Sequence, residues 1–217
     1  MPKLARTSGP PRRALILCNG EPPSRELTRR WARSCDYVIA ADGGAEIARR
    51  CGIRLDVILG DLDSLPRATR RHFKSTPVLK IPRQDNSDLE KALDFAVKHQ
   101  FEQALVLGAA GRRIDFTLAN FASIWNYAGR LEVTLIGPGW LATPVIGARQ
   151  IRAPRGGIVS LIPFGDCAGV TVRGLKYPLR GATLRLSARG VSNVVLRSPF
   201  SVRIQRGRLL LILFRRS

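Results

Sequence analysis

The chain is poor in the residues that build many metal-dependent and nucleophilic active sites. It has two histidines in 217 residues, His72 and His99. Both lie in polar helical stretches and read as surface residues. A histidine-rich metal centre is excluded, and a Ser-His-Asp triad has little to draw on. The four cysteines, Cys18, Cys35, Cys51 and Cys167, form no C-x-x-C pair. That argues against a zinc or disulfide framework and for reduced thiols in a cytoplasmic protein. No apolar run approaches the ~18 residues of a membrane-spanning helix. The opening MPKLARTSGPPRR is charged, with no apolar run of signal-peptide length behind it. It reads as a flexible basic arm over residues 1–12 and not as a secretion signal.

Acidic residues are the other scarcity. There are 16 Asp and Glu against 36 Lys and Arg, a formal charge of +20. Residues 133–217 hold 14 basic residues and a single acid, Asp166, whereas residues 1–132 hold 22 basic and 15 acidic ones. A basic half suits a polyanion. Here the basic residues are scattered among strand-like runs, and no basic helix interleaved with aromatics appears, which argues against nucleic acid as the partner. The hydrophobic content of 45% supplies a folded core. The length suits one large domain or two small ones.

The first part of the chain alternates apolar runs with helical patterns. The runs are ALILC (14–18), YVIAADGGA (37–45), DVILGDLDS (56–64), PVLKIP (77–82), ALVLG (104–108) and EVTLIG (132–137). Helical stretches fall near 24–34, up to Arg50, from Pro66 to Lys74, and from Arg113 to Tyr127. Another starts at the capping box Ser87-Asp88-Leu89-Glu90, with apolar period Leu89, Ala92, Leu93, Ala96 and Val97. This alternation predicts an α/β domain over 1–138, a doubly wound, mostly parallel, Rossmann-like sheet. Beyond it, short β-rich runs punctuated by Gly and Pro predict an antiparallel β-sandwich or barrel over 139–217.

The few acids are concentrated where they matter. Asp42 in AADGGA, Asp61 and Asp63 in GDLDS, Asp85 and Asp88 in RQDNSDLEKAL, and Asp115 in GAAGRRIDFTLANF each follow a predicted strand or open the next helix. In open α/β sheets the carboxyl ends of the strands line the ligand crevice. Each cluster alone reads as a turn former or helix cap; all of them at one sheet edge point to a site. Carboxylate oxygens without histidine or paired cysteine suit Mg²⁺, which is usually shared between carboxylates and substrate phosphates. In an extended segment residues i and i+2 point the same way, so Asp61 and Asp63 are expected to act together while Leu62 packs inward. Gly43-Gly44 and Gly108-Ala109-Ala110-Gly111 allow close backbone approach to a ligand, and Arg112 and Arg113 suit phosphate. GPGWLA (137–142) formally matches G-x-G-x-x-A, but Pro138 sits inside it, Pro144 follows, and no helix comes next.

The strings ADGGA (41–45), GDLDS (60–64), QDNSDLEKAL (84–93), GAAGRRIDFTLAN (108–120), SLIPFG (160–165), GLKYPL (174–179) and GVSN (190–193), in this order, resemble the thiamine pyrophosphokinase family. The resemblance runs from about residue 14 to the C-terminus. It implies an N-terminal catalytic domain, a C-terminal sandwich that binds thiamine, and a homodimer with active sites at the subunit interface. It also implies Mg²⁺-dependent transfer of a diphosphate from ATP to the thiamine hydroxyl, with AMP leaving. By the same resemblance Asp42, Asp61, Asp63 and Asp88 hold the metal, and Gln84, Asp85, Ser87 and Asn120 serve the nucleotide and its phosphates. Arg113 binds phosphate, Asp115 positions or deprotonates the hydroxyl, and Ser192 and Asn193 approach thiamine. The chain departs from the family pattern at Arg112, Phe116 and Val194, which stand where a Gly, a His and an acid are common.

Two other functions share single features with this pattern. A haloacid-dehalogenase-like phosphatase also has a D-x-D motif, but it follows the first strand, and here the motif follows the third. A non-catalytic nucleic-acid-binding protein accounts for the basic half and leaves the aspartate clusters unexplained, since carboxylates without metal repel phosphate.

Overall fold

The computed structural model describes residues 12–82 and 85–214. Residues 1–11 of the proposed arm at 1–12, and Gln84, lie outside the described residues, while Arg12 donates to the His99 carbonyl at 3.1 Å. The first strand, β1 (Arg13–Leu17), shows why the apolar runs become central strands. Its side chains alternate between two cores, Ala14 and Ile16 in one and Leu15 and Leu17 in the other, and all are fully buried. A strand covered on both faces must be apolar throughout.

Around it lie β2 (Tyr37–Ala41), β3 (Val57–Gly60), β4 (Val78–Lys80), β5 (Gln103–Leu107) and β6 (Glu132–Gly137). All pair in parallel, in the spatial order β4-β3-β2-β1-β5-β6. The connecting helices are α1 (Arg25–Arg33), α2 (Gly44–Cys51), α3 (Arg67–His72), α4 (Asp88–Lys98) and α5 (Ile114–Ser123), the last followed by a 3₁₀ turn at Ile124–Tyr127. Helix α2 buries Ala45, Ile47, Ala48 and Cys51 on one face of the sheet, with α1 and α3 against it. Helix α4 buries Leu89, Ala92, Leu93 and Ala96 on the other, beside Ile124 and Trp125 of the 3₁₀ turn. The predicted capping box is present. Ser87 Oγ accepts the Glu90 N–H at 3.2 Å, and the Glu90 carboxylate accepts the Ser87 N–H at 3.0 Å.

The remaining strands are β7 (Trp140–Val145), β8 (Ala148–Ile151), β9 (Ile158–Pro163), β10 (Cys167–Arg173), β11 (Leu179–Leu184), β12 (Asn193–Val194), β13 (Phe200–Arg203) and β14 (Leu209–Phe214). Strands β8, β13, β10 and β11 form a four-stranded antiparallel sheet. The others extend the parallel sheet into one of ten strands, ordered β12-β9-β14-β7-β6-β5-β1-β2-β3-β4. The anticipated boundary near 138 therefore falls in a hairpin within a continuous sheet. Pro138-Gly139 turns β6 into antiparallel β7, with Gly139 at φ 73°. Strand β14 serves two cores by its two-residue period. Leu209, Leu211 and Leu213 face the sandwich core with Phe200 and Val202, while Leu210 faces the α/β core. All four cysteines are free, and among the described residues no helix is long and apolar enough to cross a membrane.

Helix α2 starts hard against β1. A Cβ on Gly44 would lie 1.8 Å from the Leu17 carbonyl oxygen, a backbone atom that cannot swing away. Gly44→Ala is expected to cost about 3 kcal/mol of stability, measured as the shift in urea unfolding free energy.

Candidate active site

Strand order reverses between β1 and β5, whose carboxyl ends therefore diverge into a crevice. Three backbone bonds stitch the two exits together: Cys18 N–H to Leu107 O at 2.8 Å, Gly20 N–H to Gly108 O at 2.8 Å and Glu21 N–H to Ala110 O at 2.7 Å. Gly20 has no room for a side chain, since a Cβ would come within 2.3 Å of the Gly108 carbonyl oxygen. Beside them opens a cavity of about 320 Å³. Cys18, Asn19 and Gly20 line it after β1, Asp42 and Gly43 after β2, and Ser64 after β3. Ser87, Asp88 and Leu89 enter from the start of α4. Gly108, Ala109, Gly111, Arg112, Arg113, Phe116 and Asn120 complete it after β5 and along α5.

Three of the predicted aspartates meet. One carboxylate oxygen each from Asp42, Asp61 and Asp88 lie within 4.8 Å of one another. Gly60, at φ 145°, makes this possible: a Cβ there would stand 3.0 Å from Asp42 Cβ and 3.1 Å from Asp88 Oδ1. Asp42 itself adopts φ 44°, a left-handed conformation that Asp tolerates better than most residues. It is 3% exposed. Its Oδ2 accepts the Ser64 N–H at 3.0 Å, while its Oδ1 is buried with no hydrogen-bond partner. Burial raises the proton affinity of this carboxyl. The Ser64 N–H opposes the rise, and the charges of Asp88 and Asp61 add to it.

Lys91, one turn into α4, is the charged residue the sequence analysis missed. It is 3% exposed, and its Nζ lies 2.9 Å from Asp88 Oδ1 and 3.5 Å from Asp61 Oδ2. Burial alone would lower its pKa, but the two carboxylates outweigh burial and raise it. The legible signal was its spacing: i+3 from Asp88 places both on one helix face. Asn19 was also missed. It follows β1 in what reads as a plain Asn-Gly turn, and its Oδ1 accepts from Arg112 at 3.0 Å.

The donor set fits a hard divalent cation. It is all oxygen, and it includes a buried carboxylate oxygen that no donor satisfies, an arrangement that is costly unless a cation compensates it.

Other predicted residues stand apart from this group. Asp63 is exposed and outside the trio. The segment is not extended as expected, because Leu62 turns at φ 72° and the Asp63 N–H folds back onto Asp61 Oδ1 at 3.2 Å. Leu62 does pack inward, onto the core under α2. Arg113 lines the cavity but is held by Asp115 through two hydrogen bonds, one of them 3.1 Å, and lies 4.5 Å over the Phe116 ring. Asp115 is exposed, and the Arg113 bonds lower its pKa, so in this arrangement it is a weak base. Asn120 is buried and donates to the Ala109 carbonyl at 2.8 Å, fixing the loop after β5. Ser87 both caps α4 and lines the cavity, whereas Asp85 is exposed and outside the lining.

Ser192 and Asn193 do not reach the cavity within one chain. They sit at the β12 edge, with six strands between β12 and β2, a separation of roughly 30 Å at the usual strand spacing. Asn193 is buried and clamps a neighbouring loop, accepting the Tyr177 N–H at 3.0 Å and donating to the Tyr177 carbonyl at 2.7 Å. Ser192, at φ 56°, donates its N–H to Ser160 Oγ at 3.1 Å.

Residues 28–135 match the family model described as thiamin pyrophosphokinase, catalytic domain, and residues 149–209 match the vitamin B1 binding domain of thiamin pyrophosphokinase. The chain is 28% identical over 182 residues to the thiamine pyrophosphokinase of Bacillus subtilis, covering 80% of this chain and 85% of the relative. It is 30% identical over 123 residues to thiamin pyrophosphokinase 1 of Caenorhabditis elegans, covering 52% and 49%. The fold matches the crystal structure of the thiamin pyrophosphokinase from Geobacillus thermodenitrificans at a TM-score of 0.83 and 24% identity, covering 94% of this chain and 98% of the other.

An acid whose pKa is raised in the folded state destabilises the fold as it ionises. That cost is absent below the unfolded-state pKa and is complete above the folded-state one. Asp42→Asn is therefore expected to raise the melting temperature of the metal-free protein at pH 7, with the gain shrinking as pH falls towards the ordinary carboxylate range. A series of thermal melts across pH checks this.

Proposed function

Because the chain belongs to the thiamin pyrophosphokinase family, we propose that it transfers the terminal diphosphate of ATP to the hydroxyl of thiamine, giving thiamine diphosphate and AMP in the cytoplasm. The observation that carries this reading is the carboxylate trio, from the ends of β2 and β3 and the start of α4, beside a cavity at the switch point rimmed by glycines and arginines. The thiamine oxygen bonds to the β-phosphorus as its hydroxyl proton passes to solvent, the bridge between the α- and β-phosphates breaks, and the electron pair and the bridging oxygen leave with AMP. Such a transfer needs positioning and charge neutralisation more than covalent participation by the protein.

Asp42, Asp61 and Asp88 would hold Mg²⁺, with Asp63 following Asp61 at the exposed end of the same turn. Bound there, Mg²⁺ supplies the positive charge that offsets the phosphoryl oxygens. Arg113 and the backbone N–H groups opening α5 receive phosphate. Ser87, which lines the cavity, serves the phosphates together with Gln84 and Asp85 of the same family motif, and Asn120 keeps the loop after β5 in place for the nucleotide. Asp115 orients the thiamine hydroxyl once phosphate has drawn Arg113 away.

Ser192 and Asn193 reach thiamine from the other subunit of a homodimer. Two observations support that assembly. Both residues are far from the carboxylates of their own chain. Around them Ile158, Tyr177, Val191 and Leu196 are 44–59% exposed, an apolar surface suited to cover by a second copy.

With ATP, Mg²⁺ and thiamine, AMP release that depends on thiamine is expected; ADP or free phosphate in its place would sink the assignment. Asp88→Asn should lower kcat about a hundredfold or more while leaving the circular dichroism spectrum unchanged. If the site is shared, mixing inactive Asp61→Asn with inactive Ser192→Tyr should restore activity towards about a quarter of wild type, since random exchange gives half heterodimers with one intact site each. No recovery after subunit exchange would place the whole site in one chain.

A further inference from the structure

Lys91 belongs to none of the roles above, yet its ammonium faces two carboxylates of the trio. Its exposure is 3%, on a helix whose neighbouring Leu89, Ala92 and Leu93 are buried in the α/β core. The ammonium lies 2.9 Å from Asp88 and 3.5 Å from Asp61, whereas Asp42 Oδ1 has no partner at all. Two of the three carboxylates are thus pre-paired inside the protein and the third is left open. Buried like charges persist together only when an opposite charge compensates them. A cation fixed at that spot also repels any second cation that approaches the same oxygens.

Resting on the proposed Mg²⁺ role of the trio, we infer that Lys91 is a positioning residue, a resident counter-cation that keeps Asp61 and Asp88 converged while the site is empty. It also holds the affinity for free divalent metal low. The metal then enters chiefly with the nucleotide, whose phosphates add the negative charge that Lys91 has cancelled. Free metal does not occupy the carboxylates ahead of the substrate, and the site is poised for a metal–triphosphate complex.

The test is Mn²⁺ binding to metal-free protein by calorimetry, without nucleotide, comparing wild type with Lys91→Met. Met keeps the length of the stem and removes the charge. The variant is expected to bind Mn²⁺ about tenfold more tightly or better. Its melting temperature should lie below wild type without metal and recover when Mn²⁺ is added. A lysine that merely packs would give a melting-temperature loss that Mn²⁺ does not repair, with unchanged or weaker Mn²⁺ binding, and that result overturns the inference. So does a variant that binds no Mn²⁺ at all. If Lys91→Met is insoluble, Lys91→Gln is measured in the same way. The binding readout is independent of turnover. Tighter Mn²⁺ binding in a protein that forms no thiamine diphosphate would overturn the proposed function and leave this inference standing; unchanged binding in an active enzyme would do the reverse.

Discussion

Three carboxylates held within 4.8 Å of one another in a partly buried crevice repel each other, and much of the structure is arranged around that repulsion. Asp42, almost fully buried, is held by a single Ser64 N–H and keeps one oxygen unpaired. Asp88 is held by the first turn of α4, whose capping box anchors the helix start one residue before it. Asp61 follows Gly60, the residue whose missing side chain lets Asp42 and Asp88 close in. Lys91 offsets part of the charge. These residues come from two loops, after β2 and after β3, and from the start of one helix, so the charge is shared among segments remote in sequence.

The sheet makes the convergence possible. Parallel strands deliver all their carboxyl ends to one edge, and the reversal of order between β1 and β5 opens that edge into a crevice. Backbone bonds between the β1 and β5 loops keep the opening narrow. The later strands extend the same sheet, with β14 dividing its leucines between the α/β core and the sandwich core. The two halves are therefore coupled through one sheet, although they differ in composition and charge.

Much of the α/β architecture was legible because its signals are local. Continuous apolar runs such as ALILC and helical periods such as Leu89, Ala92, Leu93 and Ala96 report burial directly. The capping box at Ser87 is a four-residue pattern. The site was legible in part for the same reason: aspartates placed just after strands land at one edge by topology alone. The extended course expected for Asp61-Leu62-Asp63 is a turn instead, because the left-handed conformation of Leu62 carries no residue-type signal. Lys91 escaped because a lysine in an acidic helix start reads as a solvated i,i+3 partner. Only packing buries it.

The sequence alone determined which segments of the first part of the chain are strands and helices, that the acids gather at one sheet edge, and which family pattern the chain follows. These depend on residue type and spacing along the chain. Tertiary structure decided which aspartates meet, that a buried lysine stands among them, and that β7, β14, β9 and β12 lengthen the catalytic sheet beyond a hairpin at Pro138-Gly139. It also put Ser192 and Asn193 far from the carboxylates of their own chain. Those outcomes depend on distances between segments remote in sequence, fixed by how sheets twist, pack and share their cores.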